Sequence, residues 1–142
     1  MTLEDVQKIE NELGIRIPQH YLEAHKLFPE LIEECNADGV IEENVAAYDF
    51  IRNSEYLLHE NQRIRTYKSK LWKKGDNDHW PKNWLVIGVD PGGNFWYIDG
   101  ESSSESVGFV CHDPLGIKIS SPTLIDHIRA SIKVWKEIEG KS

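Results

Sequence analysis

The stretch Asn83-Trp84-Leu85-Val86-Ile87-Gly88-Val89-Asp90-Pro91-Gly92-Gly93-Asn94-Phe95-Trp96-Tyr97-Ile98-Asp99-Gly100 decides the fold of this chain. Residues 85–89 are a β-branched apolar run, and residues 95–98 are an aromatic one. Between them Pro91 presets a turn, and the following Gly-Gly-Asn tolerates positive φ angles. The stretch therefore predicts a β-hairpin. Because apolar side chains fall on both faces of both strands, we expect each face of the sheet to be covered at least in part.

Strands and a closing helix are predicted after the hairpin. Residues 100–106 form a polar, serine-rich turn, residues 107–112 a third strand and residues 116–119 a fourth. Ser121 is the expected cap of a last helix, with Pro122 at its first position. Apolar residues at helical spacing extend that helix to Ile138.

Mostly helical segments are predicted before the hairpin. Thr2 caps a first helix that stops at Gly14, and a second helix starts at Pro18. We expect the second helix to end or kink at Pro29 and a turn to follow over 36–39. A strand should begin at Val40-Ile41, and a strand entering a helix is predicted over 46–51. The next helix should be capped by Ser54 and run to about Leu71. Strands clustered in the second half, with helices at both ends, indicate an α+β fold. We expect a single domain, 1–142, with a central mixed, mostly antiparallel sheet packed by N- and C-terminal helices.

The composition indicates an acidic protein. With 24 acidic residues against 16 basic ones, the formal net charge is −8. That charge disfavours nucleic-acid binding, which needs Lys and Arg against phosphates, and favours a partner with a basic surface. The chain has no run of about 18 apolar residues that could cross a membrane. Its acidic start lacks a secretion signal, so we expect a cytoplasmic protein with no membrane partner.

The charge is distributed in blocks. Residues 30–44 carry six acids and no Lys or Arg, whereas residues 61–74 carry six bases and no acid. Residues 75–115 carry seven acids against a single lysine. Such blocks are often simply solvated faces. If the two acidic blocks meet in the fold, they would form a docking surface.

Several motifs together resemble the SUKH superfamily, which contains yeast cell-wall-synthesis regulators and many bacterial immunity proteins. The first is an Ile9–Pro18 segment with a Leu-Gly link between two helices, followed by Tyr21. The others are the Trp84–Ile98 hairpin, the Val107–Asp113 strand and the closing amphipathic helix. Two features depart from the family pattern: a turn comes only at 36–39 after the second helix, and the third strand reads Phe-Val-Cys-His-Asp. The resemblance implies an α+β fold and a protein that binds other proteins without catalysis.

Catalytic and cofactor motifs are weak. His112 and Asp113 are adjacent on a strand and point to opposite faces, as do Cys111 and His112, so neither pair is well placed for acid–base or nucleophilic work. The turn at 90–94 lacks the spacing of a phosphate or calcium loop. No Cys/His spacing is typical of zinc. We therefore expect no cofactor, no metal and no enzymatic activity.

The leading hypothesis is an immunity protein that binds and neutralises a cognate bacterial toxin, for instance a nuclease with a basic cleft. The alternative is a regulatory scaffold domain that binds host proteins. Trp80 lies in a polar loop, where it is either a binding anchor or packed on the core. The oligomeric state stays open. The predicted partner-binding residues are Glu30, Glu33, Glu34, Asp90, Asp99, Glu101 and Asp113, with Trp80 or Trp96 as anchors.

Overall fold

Helices precede and follow a four-stranded sheet in this computed structural model, which describes residues 1–66, 79–112 and 115–140. The order of elements confirms the α+β prediction. The helices are α1 (Leu3–Leu13), α2 (Gln19–Glu34), α3 (Gly39–Ala47), α4 (Ser54–Ile64) and α5 (Leu124–Glu139). The strands are β1 (Trp84–Val89), β2 (Phe95–Asp99), β3 (Val107–His112) and β4 (Leu115–Ser121).

The sheet is an antiparallel meander in the order β1-β2-β3-β4, so the mixed character expected from the sequence is absent from its described strands. The predicted hairpin is β1 and β2. Its turn is held by the Asp90 carboxylate, which accepts hydrogen bonds from the backbone N–H groups of Gly92 (2.8 Å) and Asn94 (3.0 Å). Gly93 takes the positive φ of +92° that the sequence allowed.

The first two helices follow the sequence prediction, with one difference at Pro29. Thr2 and Asp5 cap α1 reciprocally, and Gly14 ends it at φ +67°. Pro29 lies inside α2 and does not end it. A proline there has no N–H for the carbonyl oxygen of His25 four residues earlier. Arg52 Nη2 donates to that oxygen instead, at 3.1 Å.

The predicted strand at Val40-Ile41 is wrong, because these residues lie in α3. The side chain of Asp38 caps that helix by accepting from the N–H of Ile41 at 3.0 Å. Ile41 and Val45, four residues apart, then share its buried face.

Other boundaries also shift. The strand entering a helix that was predicted over 46–51 is wrong, because 46–47 end α3 and 48–53 lie outside the regular elements. The next helix is capped by Asn53 and not by Ser54, and its predicted continuation over 67–71 lies outside the described residues. Ser121 ends β4, and Thr123 takes the capping role that we assigned to Ser121.

The outer edge of β1, which pairs with no strand among the described residues, is hydrogen-bonded by the segment that follows α3. The N–H of Val89 donates to the carbonyl oxygen of Tyr48 at 2.8 Å, and the N–H of Ile51 donates to that of Ile87, also at 2.8 Å. Gly88 makes this approach possible, because a Cβ at that position would meet the carbonyl carbon of Asp49 at 2.7 Å. The segment 48–51 is therefore pressed against β1.

Apolar clusters cover both faces of the sheet, as the hairpin pattern predicts. The larger one packs the helices against one face and includes Leu85, Ile87 and Ile98. The smaller one lies on the other face around Trp80 and Tyr97. Because the faces are filled in this way, the functional surface must be built at the ends of the sheet or on the outer helix faces.

Candidate partner-binding site

The predicted acidic residues of α2 lie on its exposed last two turns. Glu34 is engaged with α5, since Arg129 Nε and Nη2 donate to its two carboxylate oxygens at 3.0 and 3.2 Å. These hydrogen bonds hold the pKa of Glu34 below its usual range. Glu30 and Glu33 are exposed beside it. Of the three, Glu34 is the one that contacts the cationic side of α5.

The hairpin acids occupy opposite ends of β2. Asp99 and Glu101 are together at one end, where Asp99 Oδ1 accepts from the N–H of Glu101 at 3.0 Å. The five residues of β2, at roughly 3.3 Å each, separate that end from Asp90 by about 15 Å. Asp113 lies outside the described residues. The structure thus divides the predicted acidic surface into three regions.

The two predicted aromatic anchors have different environments. Trp80 is only 4% exposed, and its ring packs edge-on against Trp84, Phe95 and Tyr97. Of the two alternatives considered for Trp80, a binding anchor or a residue packed on the core, the structure has the second. The ring is therefore not available as an anchor. Trp96 is half-buried on the opposite face, with its ring centroid 5.2 Å from that of His127.

A solvent-open recess of about 430 Å³ joins Trp96 and Asp90 to α5. We call it the α5 groove. The wall formed by α5 includes Val134 and Ile138, which are 51% and 50% exposed. The other residues that line the groove come from the segment after α3, the hairpin turn, β2, the end of β4 and α5: Asp49, Asp90, Pro91, Trp96, Ser120, Ser121, His127, Ala130, Ser131 and Trp135.

Asp49 is a buried carboxylate in the lining of the α5 groove, and the sequence analysis did not select it. Its side chain is held by Trp135, whose indole Nε1–H donates to Oδ2 at 3.0 Å. Burial raises the pKa of Asp49, against the opposing effect of hydrogen bonds from Ser131 and Trp135. The signal that could have found it is a lone charge inside the otherwise apolar run Ala46-Ala47-Tyr48-Asp49-Phe50-Ile51.

His127 fixes the backbone of Asp49. Its Nε2 lies 2.7 Å from the carbonyl oxygen of Asp49, and because a carbonyl only accepts, Nε2 carries the proton. Burial lowers the pKa of His127, so the ring is neutral at pH 7. It therefore adds no positive charge to balance the carboxylate of Asp49.

The two carboxylates of the α5 groove have no cationic partner among the residues that the structure describes. Across residues 1–66, 79–112 and 115–140, neither Asp49 nor Asp90 forms an ion pair with lysine or arginine. Arg129, Lys133 and Lys136 lie on the opposite face of α5, around Cys35. The groove is thus an apolar recess with uncompensated negative charge.

The residues considered for catalysis do not assemble a reaction centre in the described part of the chain. His112 is exposed, and its Nδ1 lies 2.7 Å from Asn94 Oδ1. Cys111, the residue before it, is half-buried. Asp113, the third candidate, is outside the described residues. No group of three or more metal-ligating side chains occurs among the residues the structure describes.

Comparison with known protein families identifies a match over most of the chain. The model of the SMI1/KNR4 family (SUKH-1) matches residues 1–130. The comparisons find no match among curated proteins or solved structures. In the described ranges, no helix combines the length and apolar character needed to span a bilayer.

Proposed function

Because this chain belongs to the SMI1/KNR4 family (SUKH-1), we propose that it is an immunity protein, which binds a cognate bacterial toxin and blocks it without catalysis. The observation that carries the proposal is the α5 groove, an apolar recess with two carboxylates that pair with no lysine or arginine in the described part of the chain. Such a recess is suited to a protein partner with a basic surface. The proposed place of action is the cytoplasm.

The overall charge supports a basic partner. At a net charge of −8, the chain attracts a positively charged surface before contact, and opposite potentials speed productive encounters. A nuclease has such a surface, because its active-site cleft must attract phosphates. Exposed carboxylates on the immunity protein would then occupy positions that the nucleic acid takes in the free toxin.

The predicted acids outside the groove contribute to this long-range attraction. Glu30 and Glu33 extend from α2, and Asp99 and Glu101 lie at the far end of the hairpin. Since these regions are separated, we assign them to steering and not to one continuous contact. Asp90 and Trp96 are the two predicted residues that line the groove itself.

The experiment is a pull-down from the native host with the full chain as bait, at low and moderate salt. Each captured protein is then expressed alone and together with the chain, and growth is measured. A basic partner that stops growth alone and is neutralised by co-expression supports the proposal. Capture of housekeeping proteins alone, none of them toxic, overturns it in favour of a scaffold domain.

A further inference from the structure

We propose that the α5 groove receives a single arginine side chain of the bound partner, with the guanidinium group facing the carboxylates of Asp49 and Asp90. The aliphatic part of that arginine would lie along Val134 and the exposed rim of α5. This inference rests on the proposed function, because it names the partner group that enters the groove.

The charge of the site favours a cation. Asp49 is 8% exposed, and placing a carboxylate out of water without a positive partner is costly. The hydrogen bonds from Ser131 and Trp135 offset part of this cost, but both donors are neutral. Asp90 adds a second negative charge at the same recess. A guanidinium brought by the partner would balance both.

Asp90 keeps the capacity to bind such a group although it also holds the turn. Its Oδ1 accepts from the N–H groups of Gly92 and Asn94, and its Oδ2 accepts from Asn94 Nδ2 at 3.0 Å. A carboxylate has about four lone-pair positions, so one remains in addition to these three bonds. The turn bonds fix the carboxylate in place before the partner arrives, which limits the entropy lost on binding.

The aromatic lining favours arginine over lysine. Trp96 and Trp135 both line the groove, and a planar guanidinium stacks on indole faces and is less strongly hydrated than an ammonium group. Arginine is also enriched among the residues that dominate binding energy at protein interfaces. The volume of about 430 Å³ lies within the range of about 300–1,000 Å³ typical of small-ligand sites. One extended side chain therefore fits with room for water.

The test uses the indole N–H of Trp135 as a local reporter, because that group is hydrogen-bonded to Asp49. The full chain is labelled with ¹⁵N and titrated with Nα-acetyl-arginine amide, and separately with Nα-acetyl-citrulline amide, which has nearly the same shape and no charge. We expect a saturable movement of the Trp135 indole signal with the arginine compound. The citrulline compound should bind about tenfold more weakly or worse.

Two lysine variants at equally exposed valines provide the matched comparison. Val134 in the groove is 51% exposed and Val40 on α3 is 54% exposed, so both positions should accept lysine without unfolding. Val134→Lys places a positive charge at the rim and should weaken the binding of the arginine compound about tenfold. Val40→Lys makes the same change of charge outside the groove and should leave the binding of the arginine compound unchanged.

The outcomes separate this inference from the proposed function. Equal responses to arginine and citrulline, or an unchanged response in Val134→Lys, overturn the arginine site whatever the pull-down shows. Full growth protection by Val134→Lys against a captured toxin also overturns it, while the immunity function stands. If the chain binds the arginine compound, loses that binding in Val134→Lys and yet neutralises no toxin, the arginine site is supported and the immunity function is overturned.

Discussion

The side chain of Asn61 on α4 pairs with both backbone groups of Val86 on β1. Its Oδ1 accepts from the N–H of Val86 at 2.8 Å, and its Nδ2 donates to the carbonyl oxygen of Val86 at 2.9 Å. A buried amide thus replaces a neighbouring strand at this position of the edge. Because the contact joins residues 25 apart, it fixes α4 against the sheet.

Replacing this amide should destabilise the fold. In Asn61→Ala both backbone groups of Val86 lose their partner, at about 1–3 kcal/mol for each buried group left unsatisfied. We expect a corresponding drop in the free energy of unfolding, measured by urea denaturation. Asn11→Ala, the same substitution at an exposed position of α1, is the control and should change stability little. Similar losses in the two variants would contradict the role of Asn61.

A methyl group at Gly88 should separate β1 from the segment 48–51. The added Cβ would overlap the carbonyl group of Asp49, and backbone cannot move aside as a flexible side chain does. Overpacking of this kind costs about 1–3 kcal/mol, so Gly88→Ala should lower the urea midpoint. Gly39→Ala, at the start of α3 with no atom within 4 Å of the new Cβ, should be neutral or slightly stabilising. Retention of full stability in Gly88→Ala would show that the close approach is not needed.

The buried carboxylate of Asp49 should reduce stability at neutral pH. Because its pKa in the folded state is raised above the ordinary 3.8, the folded chain keeps this proton where the unfolded chain has released it. Stability attributable to Asp49 is therefore lost as the pH rises from about 3.8 through the folded-state pKa. Asparagine has no proton to lose and still offers an oxygen to the Trp135 indole. We expect Asp49→Asn to be more stable than the parent at pH 7, with an advantage that shrinks towards pH 4.

Asp38→Asn is the control for that measurement, because asparagine caps a helix about as well as aspartate. Its stability at pH 7 should be close to that of the parent. An Asp49→Asn variant that is less stable than the parent at pH 7 would mean that the charged form is favoured in the fold. In the titration with Nα-acetyl-arginine amide, the same variant should bind more weakly, so that stability and binding change in opposite directions.

Protonation of His127 should weaken the fold in mild acid. Burial lowers its pKa in the folded state, so the unfolded chain binds the proton first as the pH falls below about 6.5. Stability that the neutral ring provides above that pH is then lost progressively down to the folded-state pKa. His127→Gln retains an N–H donor for the carbonyl of Asp49 and does not titrate. Urea unfolding at pH 7 and pH 5.5 should show a smaller loss for this variant.

His59→Gln tests whether any histidine would give that result. His59 is exposed on α4, so the variant makes the same chemical change without touching the contact between His127 and the carbonyl of Asp49. His20 and His25 also have pKa values lowered by burial, so part of the acid sensitivity should persist in His127→Gln. An unchanged slope in His127→Gln would remove His127 from the explanation.

The sequence predicted those parts of the fold in which local pattern and tertiary environment agree. The hairpin was found because apolar runs flank an obvious turn, and α5 because its apolar residues recur at helical spacing. Helix α3 was missed because Val40-Ile41 has a β-branched pattern, and the cap supplied by Asp38 decided the outcome. Boundaries near Ser54 and Ser121 moved by one or two residues where another polar side chain took the cap.

The candidate site was less accessible to sequence reasoning, since it depends on distant residues. Asp90 and Trp96 were selected for their position on the hairpin. Two other residues of the groove are far from them in sequence: Asp49 is 41 positions before Asp90, and Trp135 is 45 positions after it. Nothing in local periodicity places these residues around one recess. For Trp80 the polar loop context left an exposed anchor and a packed core residue open, and the tertiary structure decides for the core.

The bonded outer edge of β1 has a consequence for the concentration at which the protein can be handled. An unpaired edge strand recruits strands from other molecules, and here Asn61, Tyr48 and Ile51 occupy groups that would otherwise do so. If α4 detaches while the rest of the sheet survives, the two backbone groups of Val86 that Asn61 bonds are released next to an apolar run. Partial unfolding of a single helix would then be enough to start self-association, so the shelf life of the protein would depend on α4 before it depends on global stability.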